Sequence, residues 1–196
     1  MKIIEGKLAG KTINYKEQKG TRVTSEKVRK AVFDVLKNLV DFKNLKVADL
    51  FCGSGMYGLE SLSRGAASII FVDESRENTQ KLKRNLEEIK KKLKILDIGY
   101  CGIKIVNKKF ETFIKSCDEK FDLVFADPPY YPRQYGGTSN FDFQEFDNIY
   151  KILNKDGVFV LEGSKRVRIG ELKELELFVE KKYGDTKVLF FRKAKK

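Results

Sequence analysis

The stretch Asp49-Leu50-Phe51-Cys52-Gly53-Ser54-Gly55-Met56-Tyr57-Gly58 decides how the chain is to be read. Val47–Phe51 is an apolar run interrupted by Asp49 alone, as expected of a strand buried on both faces. Gly53, Gly55 and Gly58 follow at G-x-G-x-x-G spacing, Leu59 and Leu62 open a short helix, and Asp73 stands 20 residues beyond Gly53. A glycine loop between strand and helix, with an acid that far downstream, is the fingerprint of a dinucleotide or nucleoside site. The competing reading is a tight turn that needs only small residues.

Working outward, the same alternation repeats. Ser68–Val72 reads as a second strand, 75–93 as a basic amphipathic helix carrying Leu82, Leu86, Ile89 and Leu93, and Ile103–Val106 as a third strand. A short helix at 110–117, a strand at Phe121–Ala126, a helix at 143–152 and a strand at Val158–Leu161 continue the pattern. Strands near 175–182 and 186–192 close the chain as an antiparallel hairpin around Tyr183-Gly184-Asp185. Before the glycine loop, residues 2–15 suggest a small β-hairpin. Residues 25–40 suggest a helix with Val28, Val32, Val35, Leu36 and Leu39 on one face, capped by Thr24 or Ser25. The predicted architecture is α/β: a Rossmann-like, mostly parallel seven-stranded sheet with that C-terminal hairpin. One domain is expected over 1–196, with an N-terminal extension at 1–45 and a catalytic core at 46–196. Ligands of such sheets bind beyond the carboxyl ends of the strands.

Asp49 separates two cofactor classes. A carboxylate just ahead of the loop repels a pyrophosphate, which seeks helix N–H groups without a nearby anion. S-adenosylmethionine has no phosphate and carries a sulfonium and an ammonium, so an acid there is favourable. Glycine backbone lets the methionine part lie close to the chain. Asp73 is placed to accept from both ribose hydroxyls; its other reading is a cap for the helix at 75–93.

After the fourth strand stands Asp127-Pro128-Pro129-Tyr130. Two prolines stiffen the loop and remove two N–H groups, leaving carbonyls to accept from outside. An acid, a rigid carbonyl and an aromatic ring suit a planar base with an exocyclic amine. Asp127 and the Pro128 carbonyl would each accept one N–H, and Tyr130 would stack on the ring. Two acceptors draw the nitrogen toward tetrahedral geometry and localise its lone pair toward a methyl donor.

Composition agrees. Lys and Arg number 40 against 28 Asp and Glu, a net charge of +12 that favours a polyanionic partner. Histidine is absent, which removes His general bases and most zinc sites, and no metal is expected. Cys52, Cys101 and Cys117 form no CxxC pair, so reduced thiols in a cytoplasmic protein are expected. No signal peptide or membrane span is read.

These residues resemble the class I S-adenosylmethionine-dependent methyltransferases of the amino-methylating type. The N-terminal runs Met1–Lys7, Gly10-Lys11 and Arg22–Phe33 resemble, more narrowly, the RsmD-type 16S rRNA guanine-N2 methyltransferases. Asp49–Gly55, Gly58–Glu60, Ser63–Ala66, Asp127–Tyr130 and Lys182–Thr186 extend that resemblance almost to the C-terminus. It implies a monomer that methylates N2 of one guanine in 16S rRNA of an assembled or assembling small subunit, with S-adenosylhomocysteine as product. Carried over by residue, Asp49, Phe51, Cys52, Gly53, Ser54 and Gly55 hold the methionine part, Asp73 the ribose, and Asp127, Pro128, Pro129 and Tyr130 the target base. Asn107 and Phe110 stand where the family meets the adenine, and Asp127 borders both ligands. Arg22, Thr24, Arg29 and Arg133 are the candidate RNA contacts. Residues 1–46 carry 12 Lys/Arg against 5 Asp/Glu, in keeping with a phosphate grip. Two departures stand out: Val23 where the family usually has proline, and Asn107-Lys108-Lys109-Phe110 where it often has an acid or amide for the adenine amine. The alternatives are an adenine-N6 methyltransferase, which shares the Asp-Pro-Pro-Tyr motif, and a non-catalytic RNA-binding module. An NAD-dependent oxidoreductase gives Asp49 and the proline loop no role.

Overall fold

The computed structural model describes residues 1–15, 25–93, 102–128, 143–165 and 170–195. Seven strands form one sheet: β1 (Lys46–Leu50), β2 (Ser68–Asp73), β3 (Ile103–Asn107), β4 (Phe121–Ala126), β5 (Leu153–Ser164), β6 (Leu175–Tyr183) and β7 (Thr186–Lys193). Their order is β3-β2-β1-β4-β5-β7-β6. The pairs β1–β2, β1–β4, β2–β3 and β4–β5 are parallel, while β7 runs antiparallel to both β5 and β6. The helices are α1 (Glu26–Leu36), α2 (Met56–Arg64), α3 (Arg76–Leu93) and α4 (Phe110–Ser116), with a 3₁₀ helix at Phe143–Lys151. The predicted mostly parallel sheet with its C-terminal antiparallel pair is what forms.

The apolar runs of β1, β2 and β4 serve two cores, one on each face of the sheet. Val47, Ile69, Phe71, Leu123 and Phe125 pack with α1, α2 and α3. Ala48, Leu50, Ile70, Val72, Val124 and Ala126 pack with α4 and the 3₁₀ helix. Burial on both faces removes the polar–apolar alternation that a half-exposed strand would show.

Three expectations change in detail. The N-terminal segment forms one antiparallel bridge, Lys2↔Thr12, rather than a regular hairpin. Around that bridge Ile3 N–H donates to the Lys11 carbonyl and Ile13 N–H to the Met1 carbonyl, while donors between are taken by α2: Ile4 and Glu5 N–H donate to the Glu60 carboxylate, Lys7 N–H to the Ser63 carbonyl and Leu8 N–H to Ser63 Oγ. Helix α1 is capped by Ser25, whose Oγ accepts from Val28 N–H at 3.1 Å. It stops at Leu36, so Leu39 is exposed instead of joining the buried face. Strand β5 starts at Leu153, five residues ahead of the predicted start, because the polar run Asn154–Gly157 hides its first half. A register irregularity between Phe121 and Leu123 accommodates it. Among the described residues no helix is long and apolar enough to cross a membrane.

Candidate active site

Strands β1 and β4 are parallel neighbours, in register from Val47↔Leu123 to Leu50↔Ala126. The segments that leave their carboxyl ends, Phe51–Gly55 and Asp127-Pro128, therefore start side by side.

The turn after β1 is held from three directions. Phe51 takes a positive φ of 55°, unusual for a residue with a side chain. Cys52 N–H donates to the Val72 carbonyl at 3.0 Å, and Gly53 N–H donates to Asp73 Oδ2 at 2.8 Å. Gly55 occupies the N-cap of α2 in a left-handed conformation. Above Gly53 there is room: a methyl group built there would meet Tyr15 Oη at 3.8 Å and the Phe51 carbonyl at 3.9 Å.

Asp49 lies beneath this turn. It is buried, and its Oδ2 accepts from Gly58 N–H at 2.9 Å, in the first turn of α2. Burial lifts its carboxyl from the ordinary 3.8 to about 8, the Gly58 bond opposing and the nearby Asp73 charge adding to the rise. A carboxyl group thus already occupies an N–H of the helix terminus that a pyrophosphate would need.

Asp73 terminates β2 and braces the glycine turn. Besides Gly53, its Oδ1 accepts from Ser75 N–H at 2.8 Å and from Asn78 Nδ2 at 3.4 Å. The side-chain cap of α3 is Ser75, whose Oγ accepts from Asn78 N–H. Asn107 is exposed at the end of β3, and its Nδ2 donates to the Asp73 and Glu74 carbonyls at 2.9 and 2.8 Å. Phe110 is buried and stacks on Phe51, ring centroids 5.3 Å apart. Ser54 Oγ lies 3.9 Å from the Met1 sulfur, so the N-terminus touches the turn. Cys52 is buried, and burial pushes its thiol well above its ordinary range, so it is no nucleophile.

Two residues of this site carried no signal at the level of motif. Tyr57, an unspecified position between Gly55 and Gly58, is buried with its ring stacked on Phe125 at 4.6 Å. Its hydroxyl donates to Glu162 Oε2 at 2.7 Å. Burial, then the charges of Glu162 and Asp127, hold that hydroxyl well above its usual range, so Tyr57 stays a donor. Glu162 is itself buried inside β5, directly after the apolar run Val158–Leu161. An acid directly after an apolar strand run was the available clue, the same one that marks Asp73 and Asp127.

Arg29 requires a correction. Expected to face RNA phosphates, it is 1% exposed. Its Nη2 donates to the Lys2 carbonyl, and its Nε lies 3.9 Å from Glu60 Oε2. Arg64 completes the cluster, reaching Glu60 Oε1 at 3.0 Å and Glu5 at 2.7 Å. The guanidinium ties the N-terminal segment to α2 and is not available to a partner. Arg22, Thr24, Pro129, Tyr130 and Arg133 lie outside the described residues.

The family model described as "Conserved hypothetical protein 95" matches residues 1–192. The chain belongs to this family, the RsmD family. It is similar to the ribosomal RNA small subunit methyltransferase D of Buchnera aphidicola, 27% identical over 180 residues, which span 91% of this chain and 86% of that protein. Its fold is similar to that of the solved Escherichia coli protein yhhF, with a TM-score of 0.74, 23% identity and coverage of 100% and 99%. A more distant likeness, of fold alone, is to SMU.776, described as a methyltransferase complexed with SAH: TM-score 0.61, 15% identity, 83% of this chain and 48% of that one.

Proposed function

We propose that this member of the RsmD family transfers a methyl group from S-adenosylmethionine to the exocyclic N2 amine of one guanine in 16S rRNA. It would act as a cytoplasmic monomer on an assembled or assembling small subunit. The observation that carries the reading is the β1–β4 register, which starts the glycine turn and the Asp127-Pro128 segment side by side. Methyl donor and target amine must meet within a few ångströms, and adjacent strand ends supply that proximity.

The residues present fit S-adenosylmethionine. Gly53 leaves open space over the turn. Asp73 borders that space; its carboxylate accepts from Gly53 and Ser75 N–H at 2.8 Å, and a ribose hydroxyl would take the place of the long Asn78 contacts at 3.4 Å. Asp49 fills the helix N–H that a pyrophosphate would need; its carboxyl is lifted to about 8, and a sulfonium or ammonium nearby would draw it toward the ionised form. Phe51 over Phe110 offers an apolar wall for the adenine. When bound, the sulfonium supplies an already activated methyl group, so the chain's own task is positioning and charge.

Asp127 accepts one N–H of the guanine amine, and the Pro128 carbonyl accepts the other. The amine nitrogen turns its lone pair toward the donor, and Asp127 faces the positive charge that builds on it. Tyr130 stacks on the base. Arg22, Thr24 and Arg133 are the proposed RNA contacts; Arg29 leaves that set because it is buried. The names of relatives such as the Buchnera methyltransferase support rRNA as the substrate class.

The test is methyl transfer from labelled S-adenosylmethionine to small subunits from a strain lacking the modification, with the nucleoside identified by mass spectrometry. N2-methylguanosine is expected. N6-methyladenosine would instead assign the chain to the adenine enzymes.

A further inference from the structure

Behind the Asp127-Pro128 segment lies a polar pair that the reaction as described does not use. Tyr57 and Glu162 come from α2 and β5, 105 residues apart, and are joined by a 2.7 Å hydrogen bond inside the protein. A buried acid is costly unless its bonds are satisfied, and apolar replacements would pack as well. Packing therefore does not explain why this pair is there.

Its position points to a role. Strands β4 and β5 pair in parallel with Phe125↔Val160 and Ala126↔Leu161. One residue further on are Asp127 and Glu162. Neighbouring strands lie about 4.8 Å apart, and residues in register share a face. Leu123 and Phe125 face the α1–α3 core, as do Val158 and Val160, and alternation carries Asp127 and Glu162 onto that same face. Tyr57 reaches both: its ring stacks on Phe125, two residues before Asp127, and its hydroxyl ends at Glu162.

We propose that Glu162, fixed by the Tyr57 hydroxyl, is the positioning residue that turns the Asp127 carboxylate toward the target amine. This rests on the assignment of Asp127 to that amine. A carboxylate anchored beside Asp127 on the same face repels it away from β5 and into the cleft. Tyr57 keeps Glu162 from swinging out to water, so the repulsion has a fixed direction. The charge near Tyr57 agrees, since the hydroxyl senses Asp127 as well as Glu162. The step served is simple in its balance. The N2–methyl bond forms as the methyl–sulfur bond breaks with its electron pair on sulfur, and the N2 proton leaves to the Asp127 carboxylate.

The experiment is a double-mutant cycle read by single-turnover transfer of labelled methyl to unmodified small subunits. Tyr57→Phe, which removes one buried oxygen, lowers the rate about tenfold. Glu162→Ala lowers it further, and Glu162→Gln, which still accepts from Tyr57 but carries no charge, stays about as slow as Glu162→Ala; a wild-type rate in Glu162→Gln would overturn the repulsion. Affinity for S-adenosylmethionine stays within about twofold throughout. In an Asp127→Asn background the Tyr57→Phe loss shrinks below about threefold, because the group being positioned no longer carries charge. An equal loss in both backgrounds would overturn the proposal, since the pair would then act only on the general fold. Amide hydrogen exchange at residues 125–127, measured without substrate, should quicken in Tyr57→Phe while α3 is unaffected; unchanged exchange would also overturn it. Label on a nucleoside other than N2-methylguanosine refutes the guanine assignment alone, because the cycle counts methyl transferred to any base.

Discussion

Gly58→Ala and Gly53→Ala place the same methyl group in two different environments, and the structure predicts opposite consequences. At Gly58 the new Cβ would lie 2.3 Å from Phe71 Cε1, 2.8 Å from its Cζ and 3.2 Å from Asp49 Oδ2. Phe71 is fully buried and cannot swing aside, so α2 must lift from the sheet. Overpacking of this kind costs about 1–3 kcal/mol, offset by less than about 1 kcal/mol of helix propensity. A net loss of about 1–2 kcal/mol lowers the melting temperature of a chain this size by about 2–8 °C. At Gly53 the nearest atoms are 3.8 and 3.9 Å away, and the cost is the backbone strain of an L-residue at φ 49°, about 1 kcal/mol. That methyl group, however, projects into the space assigned to the cofactor. Gly53→Ala should therefore lose most of its affinity for S-adenosylmethionine while melting close to the wild type. Gly58→Ala should melt early and, where still folded, lose less affinity than Gly53→Ala, because no new atom enters the cofactor space. Far-UV circular dichroism is the probe for melting, since the chain has no tryptophan, and titration calorimetry the probe for binding. Normal binding by Gly53→Ala would remove the cofactor from this turn; a Gly58→Ala protein as stable as the wild type would refute the close-packing argument.

Three further outcomes are expected. The Asp49 carboxyl, near 3.8 when unfolded and about 8 when folded, contributes stability that is complete below pH 4 and is lost as pH rises toward 8; in Asp49→Asn, whose amide oxygen still accepts from Gly58, urea melts should show that slope flattened. Asp127→Asn should slow single-turnover methylation by roughly a hundredfold or more with S-adenosylmethionine affinity unchanged, and a wild-type rate would discard the electrostatic role. Arg29→Glu should destabilise the fold by about 3 kcal/mol or more, because it sets a second acid against buried Glu60; an intact melting curve with only a flatter salt dependence of RNA binding would restore Arg29 to the surface.

The order of elements was legible because burial on both faces leaves an unmistakable record. Apolar runs such as Ser68–Val72 and Phe121–Ala126 can be little else than central strands once amphipathic helices separate them. The glycine turn was equally plain, since its spacing reflects geometric needs that few other residues meet. The N-terminal segment was harder. Its short apolar pieces fit a hairpin, and its ends do pair, yet the N–H groups of Ile4, Glu5 and Leu8 donate to Glu60 and Ser63, more than fifty residues away. Long-range side-chain capture of a backbone leaves no local pattern to read.

The same physics explains the failure at Arg29. Charge counts treat every arginine as a surface cation, and the helix pattern of α1 marks apolar residues alone. What buries Arg29 is Glu60, an acid that reads from sequence as the polar face of a short helix and is in fact wholly enclosed. Tyr57 and Glu162 were missed for a related reason: neither belongs to a motif, and only the β4–β5 register beside α2 brings them together. Sequence spacing reveals residues whose role depends on backbone shape, such as Gly53, Gly58 and the proline pair. Residues whose role depends on a partner from another element become visible only when the sheet is assembled. For that reason the Tyr57–Glu162 pair, rather than another motif residue, is where substitutions should separate a methyltransferase fold from a positioned active site.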